Sequence, residues 1–397
     1  MKMKISKTAI ITAAIAIFAT SVYAQTPAQP ENKPAETTNK NEDRSYIADY
    51  EGKQASVILF DETSKKETPV ALKSVSDSEI IFVGGGGELS VSKKKPSSMK
   101  VVYRPDAQTW TSARAEYNRG NWDDSVAYMR QLVYPILPLM SLPAETCKAH
   151  GMLEMYLQAL MNADRMVEAA SIVSSLSLGD CAHELVSMAL SVAEMLAQKG
   201  NTKDALAIIE RVPFTGDKIN NIPDLMKVLT VLRKQGMVKE CSLFYTKMMN
   251  VDSPQKNELI LWMVYCDLSL GKKMSADIYL NQIKLENTSP EFSLLQLTKG
   301  MLASVADKPD LKVVLDLYAE GIVFGSLASP WMPELLYNTG MVYKKLGKQY
   351  AANEIFAQML AFYPEDTLTK KGQKEIVKVE RKKAKKADDE DDEDDDE

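Results

Sequence analysis

One kind of turn residue recurs along most of this 397-residue chain at a nearly constant interval. From residue 106 onward the apolar residues follow the period of an α-helix, and a glycine or aspartate separates successive helical stretches. The intervals are 44, 36, 36, 35, 36 and 40 residues, and the turn residues are Gly120, Asp164, Gly200, Gly236, Gly271, Asp307 and Gly347. This period predicts about seven helical hairpins over residues 106–364, because each hairpin buries its apolar face only against its neighbour.

The last of these units carries the most complete pattern. Six of its residues have the spacing of the tetratricopeptide (TPR) family, namely Gly340, Tyr343, Gly347, Ala352, Phe356 and Pro364. The chain therefore resembles that family over residues 106–364, although the unit around Asp307 matches it poorly. The resemblance implies a mainly α fold, a TPR-like α-solenoid in which small residues let paired helices approach and aromatic residues fill the space between units.

The same resemblance implies a binding groove. In the TPR family the first helix of each unit lines a concave surface that receives a partner. Carried over to this sequence, the inward positions of the fourth, fifth and seventh units are Met226, Thr230, Arg233, Lys234, Leu261, Tyr265, Tyr337, Met341, Lys344 and Lys345. We expect the basic residues among them to contact carboxylates of a partner peptide.

Residues 46–104 have a period of two, which predicts strands rather than helices. Five short runs are expected to form strands, at residues 55–61, 70–75, 79–83, 88–92 and 99–103. Five short antiparallel strands must curl to hide their edges, and their order resembles the small SH3-like barrels of exported bacterial proteins. The glycines at residues 84–87 predict a hairpin loop, because a strand follows them and not the helix that a phosphate-binding loop requires.

The two ends of the chain predict export and disorder. Three lysines, an apolar run and Val22-Tyr23-Ala24 predict a signal peptide over residues 1–24, cleaved after Ala24, with an uncleaved anchor as the alternative. Residues 25–45 carry three prolines and no large apolar residue, which predicts a disordered linker. Residues 365–397 are first basic and then acidic, and we expect them to be mostly disordered. The mature chain is expected to be periplasmic or secreted and to lack a transmembrane segment.

Four cysteines in an exported chain predict two disulfides. Cys147 and Cys181 are 34 residues apart, which is one repeat, so they are expected at matching ends of two neighbouring first helices. Cys241 and Cys266 are expected at a similar level on two antiparallel helices. The predicted pairs are therefore Cys147–Cys181 and Cys241–Cys266.

The only two histidines, His150 and His183, lie close to the first two cysteines. A zinc site made of two cysteines and two histidines is therefore the alternative to the first disulfide. The sequence contains no nucleophile elbow, phosphate loop, metal-binding helix motif or dinucleotide fingerprint. We expect a non-catalytic protein with no cofactor and no metal.

Three functional hypotheses remain at this stage. The first is an exported protein–protein interaction scaffold, whose groove binds a peptide or subunit of a cell-envelope assembly. The second is a module that binds peptidoglycan or another cell-wall glycan through its β domain. The third is a hydrolase that uses two carboxylates, which leave little trace in a sequence. Nucleic acid is not an expected partner, because ten consecutive acids at residues 388–397 account for the formal net charge of −6 and the remainder is close to neutral.

Overall fold

The computed structural model describes residues 56–93, 98–143, 145–179, 181–213, 221–251 and 253–377. The predicted signal peptide, the predicted linker and the acidic end of the tail lie outside these residues. The chain divides into two compact units, one that ends at Cys266 and one that begins at Asp267, and each unit is described by itself.

The first unit begins with a five-stranded antiparallel sheet. Its strands are β1 (Ser56–Asp61), β2 (Glu67–Val75), β3 (Glu79–Gly84), β4 (Gly87–Ser92) and β5 (Met99–Tyr103), in the order β4-β3-β2-β1-β5. Alternate residues such as Leu59, Phe82 and Val101 are buried, as the period of two predicts. The glycines at residues 84–87 form the predicted hairpin between β3 and β4. Closure of the sheet into an SH3-like barrel stays a prediction.

The outer edge of β5 is covered by a segment that follows the first helical hairpin. The amide of Val101 donates to the carbonyl of Thr146 at 2.7 Å, and the amide of Lys148 donates to the carbonyl of Val101 at 3.4 Å. Because an uncovered edge strand invites pairing with other chains, these hydrogen bonds both protect the edge and attach the sheet to the helices of its own unit.

Fifteen α-helices follow within the described residues, and the first fourteen come in seven consecutive pairs along the chain. They are α1 (Ala107–Arg119), α2 (Trp122–Val133), α3 (His150–Asn162), α4 (Met166–Ser175), α5 (His183–Gln198), α6 (Thr202–Ile209), α7 (Ile222–Lys234), α8 (Val238–Met248), α9 (Lys256–Ser269), α10 (Lys273–Gln282), α11 (Phe292–Ser304), α12 (Leu311–Phe324), α13 (Met332–Lys345), α14 (Gln349–Phe362) and α15 (Thr367–Lys374). The predicted fold class, a TPR-like series of about seven hairpins after a small five-stranded β domain, is confirmed.

The predicted turn residues lie between the two helices of each hairpin. Six of them have positive φ angles between 60° and 90°, a conformation that glycine adopts without strain: Gly120, Asp164, Gly200, Gly236, Gly271 and Gly347. The turn at Asp307 is longer, since α11 ends at Ser304 and α12 begins at Leu311. The interval of 44 residues also has a structural cause, because a 3₁₀-helix (Tyr134–Ser141) and a loop separate α2 from α3.

Close helix packing depends on glycine in the last two hairpins. A Cβ atom at Gly340 would lie 2.5 Å from the ring of Phe356, so α13 and α14 approach only because this side chain is absent. In the preceding hairpin, a Cβ atom at Gly300 would likewise overlap the ring of Tyr318. The unit around Asp307 therefore uses the same packing device, although its sequence matches the TPR pattern poorly.

An additional helix follows the last hairpin and was not predicted from the sequence. Helix α15 packs against α13 and α14, and its Gly372 lies against the ring of Phe356, where a Cβ atom would be 2.8 Å away. The tail predicted to be mostly disordered thus begins with an ordered helix, which covers the apolar end of the second unit.

Candidate partner-binding face

Four first helices of the first unit carry a half-buried residue at the same position of the repeat. These residues are Gln158 on α3, Glu194 on α5, Thr230 on α7 and Tyr265 on α9, at intervals of 36, 36 and 35 residues. Helix α3 packs against α5, α5 packs against α7, and Arg233 of α7 contacts the ring of Tyr265 on α9, so the positions follow one another across neighbouring helices. We call these four residues the first-helix row. The row includes Thr230 and Tyr265, two of the residues that the TPR resemblance assigned to the groove.

Three other groove candidates of this unit lie in its interior. Leu261 has no exposed surface, Met226 is 7% exposed and Arg233 is 4% exposed. These three residues therefore do not line an exposed groove, contrary to the expectation from the repeat offsets, because a buried side chain offers no surface to a partner. The repeat offset placed them on the right helices but gave no measure of how closely the neighbouring helix covers each position. Lys234 is half-buried.

Arg233 is buried because aromatic rings receive its guanidinium. The guanidinium carbon lies 3.6 Å from the ring centroid of Trp262 and 4.8 Å from that of Tyr265, which is close stacking of a cation on aromatic faces. Trp262, which the sequence analysis did not single out, donates from Nε1 to Glu258 Oε1 at 3.2 Å. Arg233 therefore joins α7 to α9, and its guanidinium lies in the interior of the first unit.

The groove candidates of the second unit lie along α13. Tyr337 and Met341 are half-buried, whereas Lys344 and Lys345 are exposed. The Lys344 ammonium forms an ion pair with Glu375, just after α15. Burial and then the charge of Glu375 raise the pKa of Tyr337 above its ordinary value. Lys344 thus already has a carboxylate partner within the second unit.

The four cysteines are thiols in the structure, and the two predicted disulfides stay predictions. Burial raises the pKa of Cys147 to about 11 and that of Cys241 to about 12. Both thiols are therefore neutral and poorly nucleophilic near neutral pH. The Cys181 thiol is half-buried and lies 3.7 Å from the carbonyl oxygen of Met140.

Within the described ranges, no three histidine, cysteine, aspartate or glutamate side chains are placed to hold a metal ion. The zinc alternative, with His150 and His183 as ligands, is not supported by this geometry. A search of the same ranges for a helix that is both long enough and apolar enough to span a bilayer found none.

Comparisons with known proteins give remote structural likeness only. No protein-family model matches the chain, and no curated protein matches it. Among solved structures it is similar to YrrB, described as a TPR protein with an unusual peptide-binding site, with 17% identity over 47% of this chain and 91% of that chain and a TM-score of 0.26.

Two further structures are similar at the same level. A chain of the APC/C hetero-tetramer Cut9–Hcn1 is 15% identical over 68% of this chain and 55% of that chain, with a TM-score of 0.33. A chain of the Naa15/Naa10 complex bound to HypK-THB is 13% identical over 67% of this chain and 38% of that chain, with a TM-score of 0.32. The class of this protein follows from its own geometry, which is a series of helical hairpins behind a small β domain.

Proposed function

We propose that this chain is an exported, non-catalytic scaffold that binds a peptide or subunit of a cell-envelope assembly. The first-helix row carries the proposal. Equivalent positions on four successive first helices stay half-buried, whereas the neighbouring residues Leu190, Met226 and Leu261 are buried in the core. A repeat array supplies an extended face of this kind, which suits a protein partner better than a small substrate.

Export is part of the proposal and rests on the first 24 residues, whose lysines, short apolar run and Val22-Tyr23-Ala24 end have the pattern of a cleaved signal peptide. We expect the mature chain to begin at Gln25, in a periplasmic or secreted location. The mass of the intact protein recovered from the cell envelope tests this expectation. Recovery of a chain that retains residues 1–24 would overturn it.

Affinity capture of the intact chain from cross-linked envelope extract tests the binding face. We expect one or two proteins to be enriched with the wild type and lost with the double variant Glu194→Lys/Thr230→Lys, which adds positive charge to the first-helix row. The matched control is Glu240→Lys/Thr246→Lys on α8. Thr246 donates to the carbonyl of the residue four positions earlier, as Thr230 does, but lies on a second helix.

Equal capture by both double variants would overturn the assignment of the face. Glycan fragments without a reproducible protein partner would instead support the second hypothesis, a cell-wall glycan bound through an SH3-like β domain. The strand order, with β1 between β2 and β5, is compatible with such a domain. Circular dichroism of each variant shows that a lost partner does not reflect a lost fold.

A further inference from the structure

Three residues that follow α15 lie against the surface of the last hairpin. We call residues 375–377 the docked segment. Asn353 on α14 holds the end of this segment by its main chain, since Nδ2 donates to the carbonyl of Val377 at 2.6 Å and Oδ1 accepts from the Val377 amide at 3.3 Å. One carboxamide thus pairs with both main-chain groups of a single residue, as a neighbouring strand does in a sheet.

Two further side chains contact the beginning of the docked segment. Gln349, one turn before Asn353 on α14, donates from Nε2 to the carbonyl of Glu375 at 3.2 Å and to Asn353 Oδ1 at 2.9 Å. The second of these bonds fixes the orientation of the Asn353 carboxamide. The Lys344 ammonium, at the end of α13, pairs with the Glu375 carboxylate. The hairpin therefore contacts main-chain groups at two residues of the segment and one acidic side chain.

The apolar side chains of the docked segment are poorly buried. Ile376 is 39% exposed and Val377 is 50% exposed. They border an open groove of about 600 Å³, whose wall on α14 includes Tyr350 and Leu360. Tyr350 is itself 54% exposed. Because burial of apolar surface supplies most of the free energy that holds a segment in place, the docked segment is weakly attached and opens at low cost.

We propose that α14 and Lys344 form a binding site for a peptide segment in which an acidic residue precedes two apolar residues, and that residues 375–377 occupy this site as an intrachain ligand. Gln349 and Asn353 bind main chain of any sequence, Lys344 selects the acidic residue, and the groove selects the apolar residues after it. A partner segment of this kind displaces the docked segment. The site lies in the second unit and does not involve the first-helix row, so its test is independent of the proposed function.

Competition within the full-length chain tests this inference. The probe is a labelled peptide with the sequence of residues 373–379, and its binding is measured by fluorescence anisotropy. The release variant is Glu375→Ala/Val377→Pro, which removes the ion pair and the amide that donates to Asn353. We expect the release variant to bind the probe at least about tenfold more tightly than the wild type, because the tethered competitor is lost. Equal affinity of the two chains, or no binding by the release variant, would overturn the inference.

A further substitution in the release variant locates the bound probe. Asn353→Leu should weaken binding about tenfold, because it removes two main-chain hydrogen bonds. The matched control is Asn281→Leu, which replaces an exposed asparagine on α10, another second helix of the same unit. It should leave the affinity unchanged. If both substitutions weaken binding equally, the probe does not bind at Asn353 and the assignment fails.

A charge exchange supplies a second readout. Added to the release variant, Lys344→Glu should produce a preference for a probe that carries lysine at the position of Glu375. The acidic residues 388–397 are present in every chain, so comparison with the release variant itself removes their attraction for that probe. An unchanged preference for the original probe would contradict the role of Lys344. Circular dichroism of each variant shows whether its helices are retained.

Discussion

At the scale of single residues, the buried carboxylate of Glu168 on α4 accepts hydrogen bonds from three side chains. Its carboxylate accepts from Arg130 Nε at 3.0 Å and Arg130 Nη2 at 2.5 Å, from the Tyr134 hydroxyl at 3.1 Å and from the Tyr156 hydroxyl. Burial and then the charge of Glu168 raise the pKa of Tyr156 well above its ordinary value. This one carboxylate ties α2 and the 3₁₀-helix to the second hairpin.

We predict that Glu168→Gln lowers the free energy of unfolding by about 3 kcal/mol, because it removes the fully buried charge that pairs with the partly exposed Arg130 guanidinium. The matched control is Asp123→Asn. Asp123 pairs with Arg165 at 2.8 Å between α2 and the start of α4, but both side chains are exposed, so its loss should cost less than about 1 kcal/mol. Urea denaturation measures both values, and equal costs would contradict the account of the buried group.

His150 predicts a dependence of stability on pH. Burial lowers its pKa below the ordinary value of 6.5, so the unfolded chain binds the proton first as the pH falls below that value. The free energy of unfolding therefore decreases on acidification. Glu154 opposes this change, because burial and Glu184 raise its pKa and the folded state binds that proton first.

The test compares urea denaturation of the wild type and His150→Leu between about pH 7 and about pH 5. Since Glu154 and Glu184 are present in both chains, the difference isolates the histidine. We expect the free energy of unfolding of the wild type to fall relative to that of the variant as the pH is lowered. A difference that stays constant with pH would show that His150 does not titrate in this range.

At the scale of helices and turns, the close approach of α13 and α14 depends on the absence of a side chain at Gly340. Gly340→Ala should destabilise the second unit by about 2 kcal/mol, because the new Cβ atom would meet the Phe356 ring at 2.5 Å. Gly151→Ala is the control, since nothing lies within 4 Å of that position in α3. It should stabilise the first unit by about 0.5 kcal/mol through helix propensity alone.

A double-mutant cycle separates the contact from a general loss of packing. Combined with Phe356→Leu, Gly340→Ala should cost less than the sum of the two single substitutions, because the smaller side chain leaves room for the new methyl group. Thermal denaturation of the four chains measures this coupling. Strict additivity would show that the ring does not set the distance between α13 and α14.

The elements that could be predicted from the sequence are those whose apolar residues recur with a regular period or whose ends carry a characteristic turn residue. The turns at Gly200, Gly236 and Gly271 were placed correctly, because their positive φ angles demand glycine. Helix α15 was not predicted, because its sequence TLTKKGQK has no apolar period and packs through its small residues Thr369 and Gly372. The departure at Asp307 likewise reflects a longer turn, which a fixed repeat offset does not allow for.

The sequence indicates which helices carry the candidate face, but it does not indicate which of their residues are exposed. Repeat offsets locate a position on a helix, and they found Thr230 and Tyr265 in the first-helix row. They do not report what the adjacent helix places against that position, which is why Arg233 was expected at the surface and lies stacked on Trp262.

At the scale of the whole molecule, a protein partner that binds the first-helix row has to contact several hairpins at once. The row exists only when successive hairpins stack in register, and no single hairpin contains it. Loss of stacking would therefore remove the partner together with the fold. A test has to leave the stack intact and report on the position of the contact.

Photo-cross-linking from single positions meets that requirement. A benzophenone amino acid is placed at Gln158 or Thr230 in the row, or at Thr246 on α8 as the matched second-helix control, and the chains are irradiated in the native envelope extract. We predict that the same protein is cross-linked from Gln158 and from Thr230 and is not cross-linked from Thr246. Equal cross-linking from Thr246, or a captured partner that neither row position reaches, would contradict the account.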